Sequence, residues 1–341
     1  MSAQPVSSRD ANDPVHRILI AAACAAPSIH NTQPWLFRTD AQADTIEVFS
    51  HPLRRLPRTD PQGRALHLSV GAALFNLRVA AVHLSREPVV RLMPDPSVPN
   101  LLAVVRLAGR PRASLTRRPD LYRAVWQRRS SRFPFTPEPV PSAVLAEATE
   151  AAHQDGATLW LPEHTSRVHL LELTAEAEQR NGLAPERLAE SLNWIAGPGD
   201  DTGVPPRALG ALDSDGLLPM RNFTPQRTAG RPKAEYEPDP RLLMLVTRSD
   251  HPVDWLHAGQ ALQHALLVLT LHGLRASMLH QALEWPDLRS RLARSLPHRG
   301  APQMLLRAGY GPVGFPTPRR MPVPPTDQPV PEPAAALAAV A

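Results

Sequence analysis

Cysteine is almost absent from this sequence. Cys24 is the single cysteine among 341 residues, so an intramolecular disulfide is excluded. It lies in the run LIAAACAA, and we interpret it as a small buried core residue rather than as a nucleophile. The chain also lacks an H-E-x-x-H motif, and His83 with Glu87, one helical turn apart, is equally typical of a solvated helix face. We therefore predict no metal site.

Lysine is nearly as scarce. Lys233 is the only lysine among 37 basic residues, and the rest are arginine. A P-loop lysine or a Schiff-base lysine is therefore all but excluded, so an anion site would have to use guanidinium and backbone N–H groups. The net charge is +5, but acidic residues are interspersed among the basic ones. Because nucleic-acid-binding proteins concentrate basic residues on one element, we expect no nucleic-acid partner.

Membrane and export signals are also missing. No uncharged apolar run approaches the roughly 20 residues of a membrane span, and the N-terminus is polar without an apolar core. We expect a cytoplasmic protein with no membrane partner. Proline, in contrast, is abundant, with 40 residues. Many lie in PTPRRMPVPPTDQPVPEP near the C-terminus, which is typical of an extended arm or tail.

Apolar periodicity predicts a chain of mixed helices and strands. Asp13 and Pro14 mark the start of the first helix, which ends before Pro27. Further helices are predicted at 63–86, 121–126, 142–154, 165–181, 185–195 and 252–271, and strands at 45–51, 101–107, 157–161, 242–247 and 303–310. Residues 197–240 are rich in Gly, Pro and Asp and too long for an ordinary connection, so we predict a lid or mobile insertion there.

Two long helices resemble each other. GAALFNLRVAAVHL, from Gly71, and GQALQHALLVLTLH, from Gly259, both begin with Gly-x-Ala-Leu and continue as an apolar stripe. Each is followed at some distance by a short apolar strand. This weak internal duplication predicts two similar α+β halves around a pseudo-two-fold axis.

One glycine motif invites a dinucleotide-binding interpretation. GYGPVG, residues 309–314, matches G-x-G-x-x-G and follows a predicted strand. That interpretation needs a helix whose N-terminus receives the pyrophosphate, and Pro312, Pro316 and Pro318 prevent such a helix. We therefore interpret the motif as a turn.

Two polar stretches remain unexplained by the fold alone. QRRSSRFPF, residues 127–135, places Arg128, Arg129 and Arg132 beside two serines at the end of a short helix. These arginines either complement the helix dipole or form a phosphate clamp, with Arg319 and Arg320 as further cations. APSIHNTQPW, residues 26–35, has five polar side chains between two prolines, and they either stabilise a loop or bind a ligand.

Both stretches resemble motifs of one family. APSIHNTQPW resembles the A-P-S-x-x-N-x-Q-P-W loop of the nitroreductase family, flavoproteins that bind FMN at a dimer interface. RRSSRFPF followed by PVP resembles the R-R-S-x-R motif with which that family opens. In ordinary members the Arg-Ser motif precedes the loop, and each FMN takes one motif from each subunit. Here the order is reversed, as it would be in a fused pair that retains one complete site.

The resemblance therefore implies a nitroreductase-like fold duplicated in one chain, with two antiparallel or mixed sheets flanked by helices. The second half has EAAHQDGATLW where the loop would recur, so the second FMN site should be lost. This arrangement looks like the single-chain, Acg-type subfamily. We expect a first half at 1–117, a second half with the lid at 118–320, and a Pro/Ala-rich tail at 321–341.

The resemblance also implies the cofactor-binding residues. Arg128, Ser130 and Arg132 would hold the phosphate and ribityl chain, and HGLRASMLHQ would bring residues 280 and 281 near the ring. The complete expected set is Pro27, Ser28, Asn31, Gln33, Arg128, Arg129, Ser130, Arg132, His280, Gln281, Arg319 and Arg320. No catalytic side chain is implied, because hydride chemistry belongs to the flavin.

The function implied is an FMN-dependent oxidoreductase. NAD(P)H would reduce FMN, which would reduce a nitroaromatic, a quinone or a similar small acceptor. The alternative is an FMN-sequestering or storage protein whose lid closes the site, and a third interpretation is a Pro/Arg-rich interaction module. Because the internal pairing replaces the usual dimer, we expect a monomer.

Overall fold

The computed structural model describes residues 13–110, 119–197, 199–223 and 231–320. The predicted tail at 321–341 and most of the joint between the predicted halves lie outside this range. The boundary at 117/118 falls in that joint and stays a prediction.

Helices begin where the sequence signals predict them. The Asp13 carboxylate accepts a hydrogen bond from the Val15 amide at 2.9 Å and caps the first helix. Five helices begin at a proline, whose missing N–H is not needed in a first turn. The described helices are α1 (Pro14–Cys24), α2 (Arg64–His83), α3 (Pro119–Gln127), α4 (Ser142–Gln154), α5 (His164–Leu183), α6 (Pro185–Leu192), α7 (Pro252–Leu271) and α8 (Pro286–Arg294).

Strands form two four-stranded sheets and one small ribbon. The described strands are β1 (Trp35–Asp40), β2 (Thr45–Ser50), β3 (Glu87–Leu92), β4 (Leu101–Ala108), β5 (Thr158–Trp160), β6 (Leu212–Asp213), β7 (Lys233–Ala234), β8 (Arg241–Thr247), β9 (Arg275–Met278) and β10 (Ala301–Gly309). One sheet has the order β1-β2-β4-β3 and the other β5-β8-β10-β9. Both are antiparallel throughout, whereas β6 and β7 pair in parallel.

The two sheets have the same topology. In each, two strands precede a 20-residue helix, α2 or α7, and two follow it. The last strand of each half lies between the second and the third. This agreement, position for position, confirms the predicted duplicated α+β fold.

The two long helices meet at the centre of the molecule. A Cβ atom on Gly71 would lie 2.3 Å from the Leu256 carbonyl oxygen, and one on Gly259 would lie 2.1 Å from that of Leu68. Each glycine therefore contacts the residue three positions before the other glycine. Such a reciprocal contact is what a two-fold axis produces, and only glycine permits this backbone approach.

The central packing also explains two features of the sequence. Cys24 is 7% exposed, and burial raises the pKa of its thiol to about 11, which agrees with a core residue. By length and composition alone α2 could cross a membrane, but most of it is buried inside this protein, as expected of a core helix.

Several elements were not predicted. β1, β3 and β9 were missed, and so was α8. β3 alternates between half-buried and exposed positions, and β9 has only four residues, so neither has a continuous apolar run. The described part of 197–240 contains β6, β7 and the short 3₁₀ turn Pro206–Ala208.

Candidate functional site

The segment between α1 and β1 has an unusual backbone. His30, Asn31 and Gln33 have φ values of 46°, 55° and 50°, which non-glycine residues adopt rarely. The Ser28 hydroxyl accepts a hydrogen bond from the Gln33 amide at 2.9 Å, and the Ser69 hydroxyl accepts one from the Ile29 amide at 3.1 Å. Strained conformations of this kind cluster at binding sites.

The Arg-Ser motif follows α3 and is fixed between β9 and the C-terminal arm, residues 310–320. The Ser131 amide donates to the Ala276 carbonyl at 3.0 Å, and the Ser131 hydroxyl donates to the Pro312 carbonyl at 2.9 Å. A Cβ atom on Gly314 would lie 1.9 Å from the Ser130 carbonyl oxygen. The glycines of GYGPVG thus permit close packing of the arm, and no helix follows them in residues 311–320.

These segments enclose a cavity, called here the cofactor cavity. Eight of the twelve expected residues line it: Pro27, Ser28, Asn31, Arg128, Arg129, Ser130, Arg132 and Arg319. Met278 of β9, Val204, and Phe315 and Thr317 of the arm complete the wall. The structure therefore brings together motifs that are about a hundred residues apart in sequence.

The cavity wall has excess positive charge. Arg128 is 4% exposed, and burial, together with Arg319 and Arg129, lowers the pKa of its guanidinium to about 9. Burial also lowers the pKa of Arg132 and of Arg319 to about 10. Among the described residues, no carboxylate pairs with any of these three. A dianion such as a phosphate monoester would supply the missing charge.

The other four expected residues do not line the cofactor cavity. Gln33 accepts a hydrogen bond from the Arg320 amide at 2.9 Å, and Arg320 donates to the Trp35 carbonyl at 3.0 Å, so these two tie the arm to the loop. Gln281 donates to the Pro219 carbonyl at 3.0 Å. His280 lines a separate, larger cavity.

Residues 199–223, called here the lid, cover the cofactor cavity. Asn31 exchanges two hydrogen bonds with Gly203, donating from Nδ2 at 2.9 Å and accepting at its carbonyl at 3.2 Å. Arg132 donates to the Ala208 carbonyl at 2.9 Å. The cavity is only about 40 Å³ in this arrangement, far below the roughly 300–1,000 Å³ of typical ligand sites. Gly203, Val204 and Ala208 carry no sequence signal that could have identified them.

A buried polar cluster lies next to the loop. His30, His280 and Glu284 each place one nitrogen or oxygen within 4.8 Å of the others, which is metal-ligand spacing. However, Arg221 lies 2.5 Å and Arg187 3.4 Å from the Glu284 carboxylate. Two cations already neutralise this single carboxylate, so a divalent cation would be repelled.

Comparison with known proteins finds relatives named as nitroreductases. No family model matches it. A Mycobacterium tuberculosis protein named "Putative NAD(P)H nitroreductase" is 32% identical over 310 residues, covering 89% of this chain and 88% of the relative. An uncharacterised protein of the same species is 31% identical over 310 residues, covering 88% and 89%.

A third relative and two solved structures carry similar names. The M. tuberculosis protein named "Putative NAD(P)H nitroreductase acg" is 28% identical over 312 residues, 91% of this chain and 93% of the relative. A Bacteroides fragilis nitroreductase with bound FMN is 12% identical, with a TM-score of 0.38 over 61% of this chain and 98% of its own. The Mycobacterium smegmatis nitroreductase NfnB, solved with NADPH, is 19% identical, with a TM-score of 0.34 over 56% and 87%.

The sequence similarity to the M. tuberculosis proteins identifies the family, because it extends over nearly the whole length of both chains. It agrees with the two-copy topology and with the single pair of motifs around one cavity. The chain belongs to the nitroreductase-like family, in its single-chain, Acg-type branch.

Proposed function

We propose that the protein is an FMN-dependent oxidoreductase that passes electrons from NAD(P)H to a small acceptor such as a nitroaromatic or a quinone. The observation that carries this proposal is a group of three guanidinium groups around the cofactor cavity, that of Arg128 buried and those of Arg132 and Arg319 half-buried, with no carboxylate among the described residues to balance them. FMN fits this charge, because its phosphate is a dianion and its ribityl hydroxyls and ring edge form hydrogen bonds.

Each wall of the cavity would hold a different part of FMN. Arg128, Ser130 and Arg319 would bind the phosphate, because guanidinium and hydroxyl donors converge there. Ser28 and Asn31, on the strained loop, would contact the ring from the other half of the molecule. When bound, FMN supplies the hydride chemistry, whereas the chain supplies position and electrostatics.

Cofactor entry requires the lid segment to move. The Asn31–Gly203 pair and the Arg132–Ala208 hydrogen bond close the cavity to about 40 Å³. Both involve backbone groups of the lid, so opening there breaks hydrogen bonds, whereas the Arg221–Glu284 ion pair at 2.5 Å holds the far end of the lid. Loops that open in this way gate many active sites.

The same closure favours a second candidate function, FMN storage. If the lid stayed closed over bound FMN, NAD(P)H could not reach the ring, and the protein would hold the cofactor without turnover. The specific observation in favour is that two cofactor-cavity residues, Asn31 and Arg132, are themselves hydrogen-bonded to the lid.

One experiment separates the two functions. The purified protein should be yellow, and NADPH added without oxygen should bleach the visible flavin band if it is an oxidoreductase. A flavin that dithionite bleaches but NADPH and NADH do not would support storage. A colourless protein that cannot be loaded with FMN would contradict both functions.

A further inference from the structure

A second cavity lies beside the cofactor cavity. It has a volume of about 420 Å³ and is lined by Asp60 and Arg64, before and at the start of α2, and by His280, Glu284 and Arg289 of the second half. Polar and apolar groups line it in similar amounts, and it is roomy enough for several water molecules.

Two histidines lie close in sequence to residues that line the cofactor cavity. Met278 lines the cofactor cavity and His280, two residues later, lines the larger one. On the loop side, Asn31 lines the cofactor cavity, and its neighbour His30 is buried. The His30 ring centroid is 5.9 Å from that of His280 and 5.1 Å from that of Phe223.

His30 has no hydrogen-bond partner for either ring nitrogen among the described residues, although it is only 3% exposed. Burial first, and then the positive charge of Arg221 and the nearby His280, hold its pKa well below the usual range, with Arg132 acting in the same direction and Glu284 opposing. The ring is therefore neutral, with one N–H and one lone pair. Such a ring can release a proton from one nitrogen and accept one on the other.

His280, the second histidine, is held by the Glu284 carboxylate. Its Nδ1 lies 2.6 Å from the Glu284 carboxylate, which Arg221 fixes in turn. The atoms of His30, His280 and Glu284 that could exchange protons all lie within 4.8 Å of one another. One water molecule spans such a gap.

Resting on the function proposed above, we propose that His30 and His280 form the path by which protons from the larger cavity reach an acceptor in the cofactor cavity. Hydride addition to a quinone leaves an anionic oxygen. That oxygen forms an O–H bond as one N–H bond of His30 breaks, and the other His30 nitrogen takes a proton relayed from His280. Water in the larger cavity then reprotonates His280, so each hydride is matched by one proton.

The proposed proton path matters because the lid closes over the cofactor cavity. Contacts of the lid with Asn31 and Arg132 narrow the cofactor cavity, and reduction of a quinone there consumes protons. His30 and His280 are thus proton-transfer residues beneath the end of the lid, where Phe223 packs on His30 and Arg221 pairs with Glu284.

The first test uses the loaded protein. His30→Asn preserves the left-handed backbone, which asparagine tolerates, and His280→Gln removes the second ring. The matched control is His169→Asn, whose side chain on α5 is 42% exposed. Flavin reduced by dithionite is mixed with a benzoquinone in H₂O and in D₂O. We expect both variants to lower the reoxidation rate by at least about 10-fold, as for loss of a proton donor, whereas the control retains the wild-type rate and isotope effect.

Because dithionite replaces NADPH, this result is independent of whether NADPH reduces the protein. Variants that keep the rate within twofold and an unchanged isotope effect would overturn the path.

The second test needs no cofactor and no turnover. Protein labelled with ¹⁵N-histidine, without FMN, gives the exchange rate of the His30 ring N–H with water, assigned by its loss in His30→Asn. His280→Gln should slow this exchange severalfold, and His169→Asn should not. An exchange rate unchanged by His280→Gln would refute the relay even if the protein proved not to bind FMN.

Discussion

Arg128 is a buried cation with no carboxylate paired to it in the described part of the chain, and we propose that its side chain binds a ligand. Most buried charges in this protein are paired. Asp155 pairs with Arg78 at 2.6 Å, and Arg307 with Glu237 at 2.9 Å. An unpaired buried charge is destabilising, so a fold retains it where a bound group supplies the counter-charge.

Replacing Arg128 should separate binding from stability. Arg128→Met should weaken FMN binding by about 10- to 150-fold, because a hydrogen bond to a charged group contributes about 1.5–3 kcal/mol. The cofactor-free protein should be as stable as the wild type or more so, since an uncompensated buried charge is removed. Fluorescence titration with FMN and urea unfolding measure the two quantities.

The exposed Arg123 of α3 provides the control. Arg123→Met should change neither quantity. If Arg128→Met instead unfolds the cofactor-free protein and leaves FMN affinity intact, Arg128 is a structural residue.

Glu284 should give the protein an acid-sensitive contribution to stability. Burial raises its pKa, but Arg221 and His280 outweigh burial and hold it at about 2, against an ordinary value of 4.5. Because the folded pKa is the lower one, the stabilisation is complete above about pH 4.5 and is lost as the pH falls towards 2. Its full size is on the order of 3 kcal/mol.

Glu284→Gln should therefore reduce stability at pH 7 and flatten its decline between pH 4.5 and 3, as measured by urea midpoints. Glu172→Gln, on the surface of α5 with a side chain 68% exposed, should leave the decline unchanged. A Glu284 variant with the wild-type pH dependence would show that this carboxylate does not control acid unfolding.

At the scale of elements, the C-terminal arm connects the Arg-Ser motif to the loop. Arg319 of the arm donates to the Asn31 side chain at 3.0 Å, and Gly311 and Gly314 of the arm pack on residues 130–135. An added Cβ on Gly314 would meet the Ser130 carbonyl oxygen, which is backbone and cannot rotate away.

Gly314→Ala should displace the arm and Arg319 with it. We expect FMN affinity to fall by at least about 10-fold, the value of one charge-assisted hydrogen bond. Gly182→Ala, where a Cβ would meet no atom within 4 Å, should have no such effect. Equal FMN affinity in the two variants would show that the arm is dispensable for binding.

Helix bounds were easier to predict from the sequence than strands. α4 and α7 have the predicted bounds, because helical periodicity over 13 and 20 residues is a strong local signal. β1, β3 and β9 were missed because their pairing partners, not their own residues, make them strands.

At the scale of the whole molecule, the reciprocal contact of Gly71 and Gly259 joins the halves. Gly71→Ala and Gly259→Ala should each lower the free energy of unfolding by at least about 2 kcal/mol, because backbone must separate to admit the methyl group. The two losses should be similar, since the contacts are symmetric. Urea unfolding measures them, with Gly109→Ala, at an open position, as the control. Two alanine variants as stable as this control would contradict the close crossing.

The second half has a much shorter connection where the first half has its polar loop. Only residues 155–157 connect α4 to β5, whereas residues 25–34 connect α1 to β1, and Asp155 is held by Arg78. We therefore expect a 37.3 kDa monomer with one FMN per chain, measured by light scattering and flavin absorbance. A dimer, or two FMN per chain, would contradict the single-site proposal.

The sequence by itself determined the residue types of the site, seven of the eight described helices, and the family. Arginine-rich composition restricted anion binding to guanidinium groups, and two short motifs pointed to one flavin site. Eight of the twelve expected residues line one cavity, because short motifs hold most of the side chains that a phosphate and a ring require. Their role in FMN binding stays a proposal.

Only the tertiary structure decided which charges lack partners and which segment covers the cavity. His280 and Gln281 lie apart from the cofactor cavity, and Gly203 meets Asn31 across 172 positions of sequence. Burial and pairing depend on what packs against a side chain from distant parts of the chain. Local sequence does not contain that information, because desolvation and Coulomb interactions act through space.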